Sequence, residues 1–176
     1  MTTTAIALLR AVNVGAHRAV AMADVAEAFV AQGCSRVRTY LRSGNVVFDH
    51  DDGVGDGLAA RIEEAVERAA GFAVPLVLRT LPEWDEMRAE NPFRHLDPGS
   101  LHVAFAPVEL ARDALARLAR TDAGDERYAV RGRDVYLHLP SGVARAALPR
   151  ALDRTGTTVT VRNWRTVEHL GELASG

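Results

Sequence analysis

The sequence has no lysine; all 21 of its basic residues are arginine. That excludes Schiff-base chemistry on a lysine amine and a lysine-bearing phosphate loop. An anion must then be met by arginine, by backbone amides or by helix N-termini. A codon bias across the genome explains the missing lysine without invoking function. Cys34 is the only cysteine, so no intramolecular disulfide and no thiolate metal cluster is available. It follows Gly33 at the end of an amphipathic stretch and reads as a packed residue, since a reactive thiol needs an electropositive site. No apolar run approaches the roughly 20 residues of a spanning helix, so no membrane association is expected. Met1–Ala5 has no basic n-region and Arg10 interrupts the apolar residues after it, so no signal peptide is read there and a cytoplasmic location is the default. Aromatic residues make up 6% of the chain and the net charge is −2. That balance gives little attraction to a phosphate backbone and disfavours nucleic acid as a partner.

What the sequence does contain is a repetition. Residues 4–80 and 100–162 each read as strand, helix, a hairpin of two strands, helix, strand. The hairpins resemble each other, Arg42-Ser43-Gly44-Asn45-Val46-Val47-Phe48 against Arg131-Gly132-Arg133-Asp134-Val135-Tyr136-Leu137. Thr4–Leu9 is an unbroken apolar run of strand length, which predicts a central strand buried on both faces. Met22, Val25, Ala26, Phe29 and Val30 recur at helical spacing, as do Leu58, Ile62, Ala65, Val66 and Ala69. Arg36–Leu41 alternates, which places Arg36, Arg38 and Tyr40 on one face. In the second repeat, Leu101, Val103 and Phe105 alternate, Leu110, Ala114, Leu115 and Leu118 supply a helix, and Leu148–Arg154 supplies another.

The expected fold class is therefore α+β: two ferredoxin-like (βαββαβ) halves in tandem, with a connecting segment and an extra C-terminal helix. The expected domains are 1–80, a connector over 81–99 that includes a short helix from Pro82 to Glu90, and 100–176, which ends in the helix from Trp164. With the first and third strands of each half taken as parallel, the loop after Arg10 and the hairpin at Ser43 fall at opposite ends of their sheet. Arg145 and Arg162 are opposed in the same way. On that geometry the motifs converge only where the loop end of one half meets the hairpin end of the other.

Several landmarks occur in order along nearly the whole chain. They are Leu9-Arg10-Ala11-Val12-Asn13-Val14-Gly15, Thr39-Tyr40-Leu41-Arg42-Ser43-Gly44-Asn45-Val46-Val47-Phe48, Asn91-Pro92-Phe93, Val135-Tyr136-Leu137-His138-Leu139-Pro140 and Arg162-Asn163-Trp164-Arg165-Thr166-Val167. In these the chain resembles the Domain of Unknown Function 1697 family. The resemblance implies a two-part α+β architecture and no assigned activity. The chain departs from the family pattern at Ala11, where a glycine is usual, and at Ala144-Arg145-Ala146-Ala147, where Gly-Arg-Ser-Lys is usual. Arg165 stands where asparagine is common.

The candidate ligand-binding residues are Arg10, Asn13, Gly15, Arg42, Ser43, Asn45, Arg145, Arg162 and Asn163. The loop Arg10–Arg18 leaves the C-terminal end of a strand, a usual ligand position in α/β sheets. Arg10 and Asn13 there suit a carboxylate or phosphate, and Gly15 permits close backbone approach. A tight turn with Asn13 bonded to backbone accounts for the same residues. Arg42–Asn45 reads equally as hairpin turn chemistry. Asn163 reads as a helix N-cap and Trp164 as an apolar anchor, or else Arg162 and the helix N-terminus form an anion site. Arg145 lies in the Gly- and Ala-rich loop Ser141–Ala147. His102 and His138, on neighbouring strands and expected to share a sheet face with Tyr136, are the best acid–base candidates, and ordinary half-buried strand histidines account for them equally. The six histidines show no metal spacing, and His50-Asp51-Asp52 reads as a solvated acidic turn, so no metal is expected. No nucleophile has a recognisable partner, and catalytic residues stay unassigned. No cofactor is implied.

The expected function is binding of a small polar or anionic ligand at an arginine- and asparagine-lined cleft between the repeats, by a monomer or homodimer. One alternative is a nucleic-acid platform on an open sheet face with Arg36, Arg38 and Tyr40. The other is an interaction module that dimerises through exposed strand faces.

Overall fold

This computed structural model describes residues 1–15 and 18–176, apart from the side chain of Asp56. The loop Arg10–Arg18 thus includes two residues, Ala16 and His17, that lie outside the described residues. The chain divides into two compact units: Met1–Glu86 with Leu170–Gly176, and Met87–His169.

The first unit runs β1 (Thr3–Leu9), α1 (Met22–Val30), β2 (Ser35–Tyr40), β3 (Asn45–His50), α2 (Asp56–Ala70) and β4 (Leu76–Thr80). Its four strands form one antiparallel sheet in the order β2-β3-β1-β4. Ala5, Ala7 and Leu9 of β1 face the helices and pack with Phe29 of α1, Ile62 and Val66 of α2, and Phe48 of β3. Phe29 and Phe48 meet edge to face, ring centroids 5.2 Å apart. The apolar run of β1 has the burial its sequence predicts: every residue from Ala5 to Leu9 is fully buried.

The second unit repeats the order: β5 (Leu101–Phe105), α4 (Arg112–Ala119), β6 (Arg127–Arg131), β7 (Asp134–His138), α5 (Ala147–Asp153) and β8 (Thr160–Asn163). Its sheet order is β6-β7-β5-β8, again antiparallel. Ala104, Leu118, Val135, Leu137, Leu148 and Leu152 make its core. The two halves are thus similar α+β units of ferredoxin-like pattern.

The duplication reaches one element further than the sequence pattern suggests. Helix α3 (Leu81–Ala89) follows β4 without a gap, and α6 (Trp164–Ser175) follows β8 without a gap. Both junctions are capped by a side chain. Thr80 Oγ1 donates to Glu83 Oε2 at 2.9 Å, which also accepts from the Thr80 N–H at 2.8 Å. Asn163 Oδ1 accepts from the Thr166 N–H at 2.8 Å, so Asn163 is the N-cap its sequence suggests. One residue before each cap lies a buried arginine, Arg79 or Arg162. They hold equivalent places, opposite Ile6 and Val103 on the first strands. Each donates from Nη1 to the carbonyl before it, Leu78 at 2.9 Å and Val161 at 3.0 Å. The repeated element is therefore βαββαβα, and the connector helix and the C-terminal helix are the same part of it.

Strand direction corrects the expected placement of the motifs. β1 and β3 are antiparallel, with Leu8 opposite Asn45 and Thr3 opposite His50. A crossover makes β2 parallel to β1, and the hairpin then reverses β3. So the loop after β1 and the β2–β3 hairpin lie at the same end of the sheet, not at opposite ends. The same holds for the loop after β7 and the end of β8: His138 pairs with Leu101, Asn163 with His102, and both lie at the start of β5.

Two further expectations change. The face of Arg36, Arg38 and Tyr40 is broken by a bulge between Ser35 and Arg38, where Arg36 takes a positive φ of 48°. Arg36 Nε pairs there with Asp49 at 3.3 Å. Arg38 and Tyr40 lie opposite Val47 and Asn45, on a face whose central residues Ile6, Leu8 and Val47 are fully buried. His102 and His138 do not share a face, because the register sets His102 opposite Leu137 and His138 opposite Leu101.

Candidate functional site

One end of the first sheet gathers three chain segments. The loop after β1 carries Arg10, Ala11, Asn13 and Gly15; the β2–β3 hairpin spans Leu41–Gly44; the turn before β4 carries Phe72, Ala73 and Pro75. Backbone bonds join them: the Leu9 N–H reaches Gly44 O at 2.8 Å and the Arg10 N–H reaches Pro75 O at 2.8 Å.

Asn13 is the clasp. Its Nδ2 donates to Arg42 O at 2.8 Å and its Oδ1 accepts from the Val20 N–H at 3.0 Å. It holds a φ of 54°, a conformation that asparagine tolerates better than most residues. One side chain thus ties the loop to the hairpin and to the start of α1. Arg18 is a second brace. Its Nε and Nη2 donate to Ala11 O at 2.7 Å and Ala73 O at 2.8 Å, and its guanidinium lies 4.5 Å from the Phe72 ring centroid.

The loop is conformationally demanding. Ala11, Asn13 and Gly15 all have positive φ, at 55°, 54° and 70°. Glycine is the residue this backbone prefers at Ala11, which supplies a physical reason for the glycine usual in the family pattern. Ala11→Gly is expected to stabilise the protein by about 0.5–1 kcal/mol, the relieved left-handed strain less the added freedom of the unfolded chain. Urea unfolding checks it; a lower midpoint contradicts the strain.

Asn45 and Ser43 serve the hairpin. Asn45 is fully buried as the first residue of β3, and its Nδ2 donates to Tyr40 O at 2.8 Å and Ser43 Oγ at 3.2 Å. Arg42 is exposed, and its guanidinium has no hydrogen bond or ion pair among the described residues. It lines a depression of about 470 Å³ with Asn13 and the Ala19–Met22 segment. On the β4 side of the same loop, Arg10 lines a second depression of about 330 Å³ with Ala11, Arg18, Ala73 and Pro75. Neither is lined by a carboxylate among the described residues. The structure therefore brings Arg10, Asn13, Gly15, Arg42, Ser43 and Asn45 to one end of one unit. Arg18, absent from the sequence candidates, belongs with them; its spacing from Arg10 carried no signal of the two carbonyls it bridges.

Arg145, Arg162 and Asn163 lie in the second unit. Arg145 is exposed in a 3-10 turn over Val143–Arg145. The amides that follow it are engaged internally: Ala147 and Leu148 N–H groups donate to the Glu126 carboxylate at 2.8–3.0 Å. Arg162 is an interior residue, donating to Thr160 Oγ1 at 2.7 Å, and burial pulls its guanidinium down to about 10. Asn163 uses its Oδ1 to cap α6.

The remaining chemical candidates resolve into structure. Cys34 is buried, and desolvation raises its thiol to about 11, which leaves little thiolate at neutral pH. His50 holds its own turn through Nδ1 and Gly53 O at 2.9 Å. His102 and His138 each bury Nδ1 without a hydrogen-bond partner among the described residues, on opposite faces. Burial lowers the pKa of His102. Among the described residues no group of three or more His, Cys, Asp or Glu is placed to hold a metal, and no helix is long and apolar enough to cross a membrane.

The family model described as "Protein of unknown function (DUF1697)" matches residues 1–136, which takes in the whole of the clasped loop end. No match is found among curated proteins. Among solved structures, the conserved bacterial protein SP0830 from Streptococcus pneumoniae is similar at a TM-score of 0.80 and 20% identity, over 99% of each chain. At that identity the likeness is one of fold.

Proposed function

The chain belongs to the DUF1697 family, whose description assigns no function, and from the geometry of its first unit we propose that it binds a small anionic ligand there. Arg42 and Arg10 are the cationic contacts, Asn13 positions Arg42, and Gly15 leaves room beside the loop. The observation that carries this reading is Arg42: an arginine whose guanidinium has no partner among the described residues, at a depression lined by no carboxylate among them, on a hairpin whose Arg42 carbonyl is fastened by Asn13. A guanidinium is suited to bidentate contact with a carboxylate or phosphate. A hairpin fastened to the end of β1 and the loop after it costs less to order on binding than a free loop. Arg18 acts on the site only by bracing it.

A thermal-shift screen with adenosine monophosphate, glucose 6-phosphate and succinate tests the proposal. At least one is expected to raise the melting temperature in a saturable way. Arg42→Ala is expected to weaken that ligand about 10- to 100-fold, the loss of a charge-assisted contact worth ~1.5–3 kcal/mol. The variant itself should melt within a degree or two of the wild type, because Arg42 is exposed and only its carbonyl is engaged. A ligand whose affinity ignores both Arg42→Ala and Arg10→Ala binds elsewhere and removes this reading.

A further inference from the structure

The second unit holds a separate concentration of arginine that no landmark or comparison singles out. Helices α4 and α5 pack side by side, and a depression of about 360 Å³ opens along them. Its lining is Arg117, Thr121 and Asp122 from the end of α4 and the turn after it, and Ala147, Arg150, Ala151 and Arg154 from α5. Spacing makes the groove. Ala147 and Ala151 are one turn apart, as are Arg150 and Arg154, so small side chains form a floor beside a charged wall. Arg117 and Thr121, also one turn apart, form the facing wall.

Three guanidinium groups and one carboxylate line the groove, an excess of two positive charges among the lining residues; the Glu126 carboxylate next to them is taken up by the Ala147 and Leu148 N–H groups. Asp122 does not neutralise them: it accepts from the Gly124 N–H at 3.4 Å and pairs with no arginine among the described residues. Arg150 donates from Nη2 to Ala144 O at 3.0 Å, which leaves its remaining N–H groups for a ligand. The guanidinium groups of Arg117 and Arg154 have no hydrogen bond or ion pair among the described residues; only their backbone groups are bonded, within the helix ends. Like charges one turn apart on a helix are unfavourable, and a third arginine facing them adds to this repulsion. A dianion between them reverses the sign of the interaction.

We propose that this groove binds the dianionic phosphoryl group of a small phosphate monoester, gripped by Arg117, Arg150 and Arg154, with its carbon body over Ala147 and Ala151. A phosphate monoester carries close to two negative charges at neutral pH, matching the excess. Its three terminal oxygens accept from several planar donors at once, the geometry arginine supplies. The volume suits a molecule of a few carbons and one phosphoryl group, at the small end of ligand sites. The site is independent of Arg42 and Arg10.

Isothermal titration of the full chain with glycerol 3-phosphate tests this, with inorganic phosphate and sulfate as comparison arms. The expected result is one saturable event for glycerol 3-phosphate at pH 7.5, at least as tight as inorganic phosphate. It should weaken at pH 5, where the ester loses its second charge. The double variant Arg117→Ala with Arg154→Ala should lose at least tenfold in affinity, and Arg42→Ala should retain it. Both altered residues are exposed, and circular dichroism of the double variant checks that it stays folded. No binding at millimolar ligand, binding that survives the double variant, or binding of inorganic phosphate with exclusion of the ester would each overturn the proposal.

Discussion

Gly44→Ala should lower the stability of the protein by about 2–5 kcal/mol and loosen the end of the sheet at which the ligand site is proposed. Two costs act together. Gly44 has a φ of 83°, a left-handed conformation that an L-side chain adopts only with strain. An added Cβ would also sit 2.5 Å from Val12 Cγ2 and 2.7 Å from Leu9 Cβ. Neither neighbour has room to retreat, since Leu9 is fully buried and Val12 nearly so. Relief would come from moving the hairpin away from β1, which breaks the Leu9–Gly44 backbone bond and pulls on the Asn13–Arg42 bond. Urea unfolding measures the loss, and the ligand assay should show weaker binding in the same variant. A change below about 1 kcal/mol would mean that loop and hairpin are not packed as described.

Trp84→Ala should cost about 3–5 kcal/mol. The segment after β4 reads in the sequence as a connector, and a surface linker tolerates such a change within about 0.5 kcal/mol. Instead Trp84 sits on α3 with no exposed surface, four residues past the Thr80 cap. A loss of several kcal/mol would identify α3 as part of the folded repeat; a loss near zero would return it to the status of a linker.

Much of the fold was legible because each element carried its own signal. The unbroken run Thr4–Leu9, short and bounded by a turn signal, reads as a strand covered on both sides, and the apolar periods of α1 and α2 leave one face for the core. The duplication followed from element order alone. Strand direction is not legible in any single residue. It follows from the reversals through a crossover and a hairpin, and these bring Arg10 and Arg42 to one end of the sheet rather than to opposite ends. Residues with two roles were also hard to read. Asn45 is a turn-type residue yet begins a buried strand, and Arg162 has the charge of a surface residue yet is buried. Arg36 gave no sign of its bulge, because nothing in an alternating Arg-Val-Arg stretch marks an extra residue. Asn13 was found for its chemistry, but its engagement with Arg42 and Val20 depends on neighbours distant in sequence.

The central claim is that Arg42, held by Asn13, meets an anion at the loop end of the first unit. The most direct test follows the arginine Nε–H resonances by NMR while succinate, glucose 6-phosphate or adenosine monophosphate is titrated, taking the ligand that most stabilises the protein. Saturable shifts are expected at Arg42 and Arg10 and at the amides of residues 42–44, with the Arg42 response weakened in Asn13→Ala. Saturable binding that leaves Arg42 and Arg10 unmoved would contradict the claim.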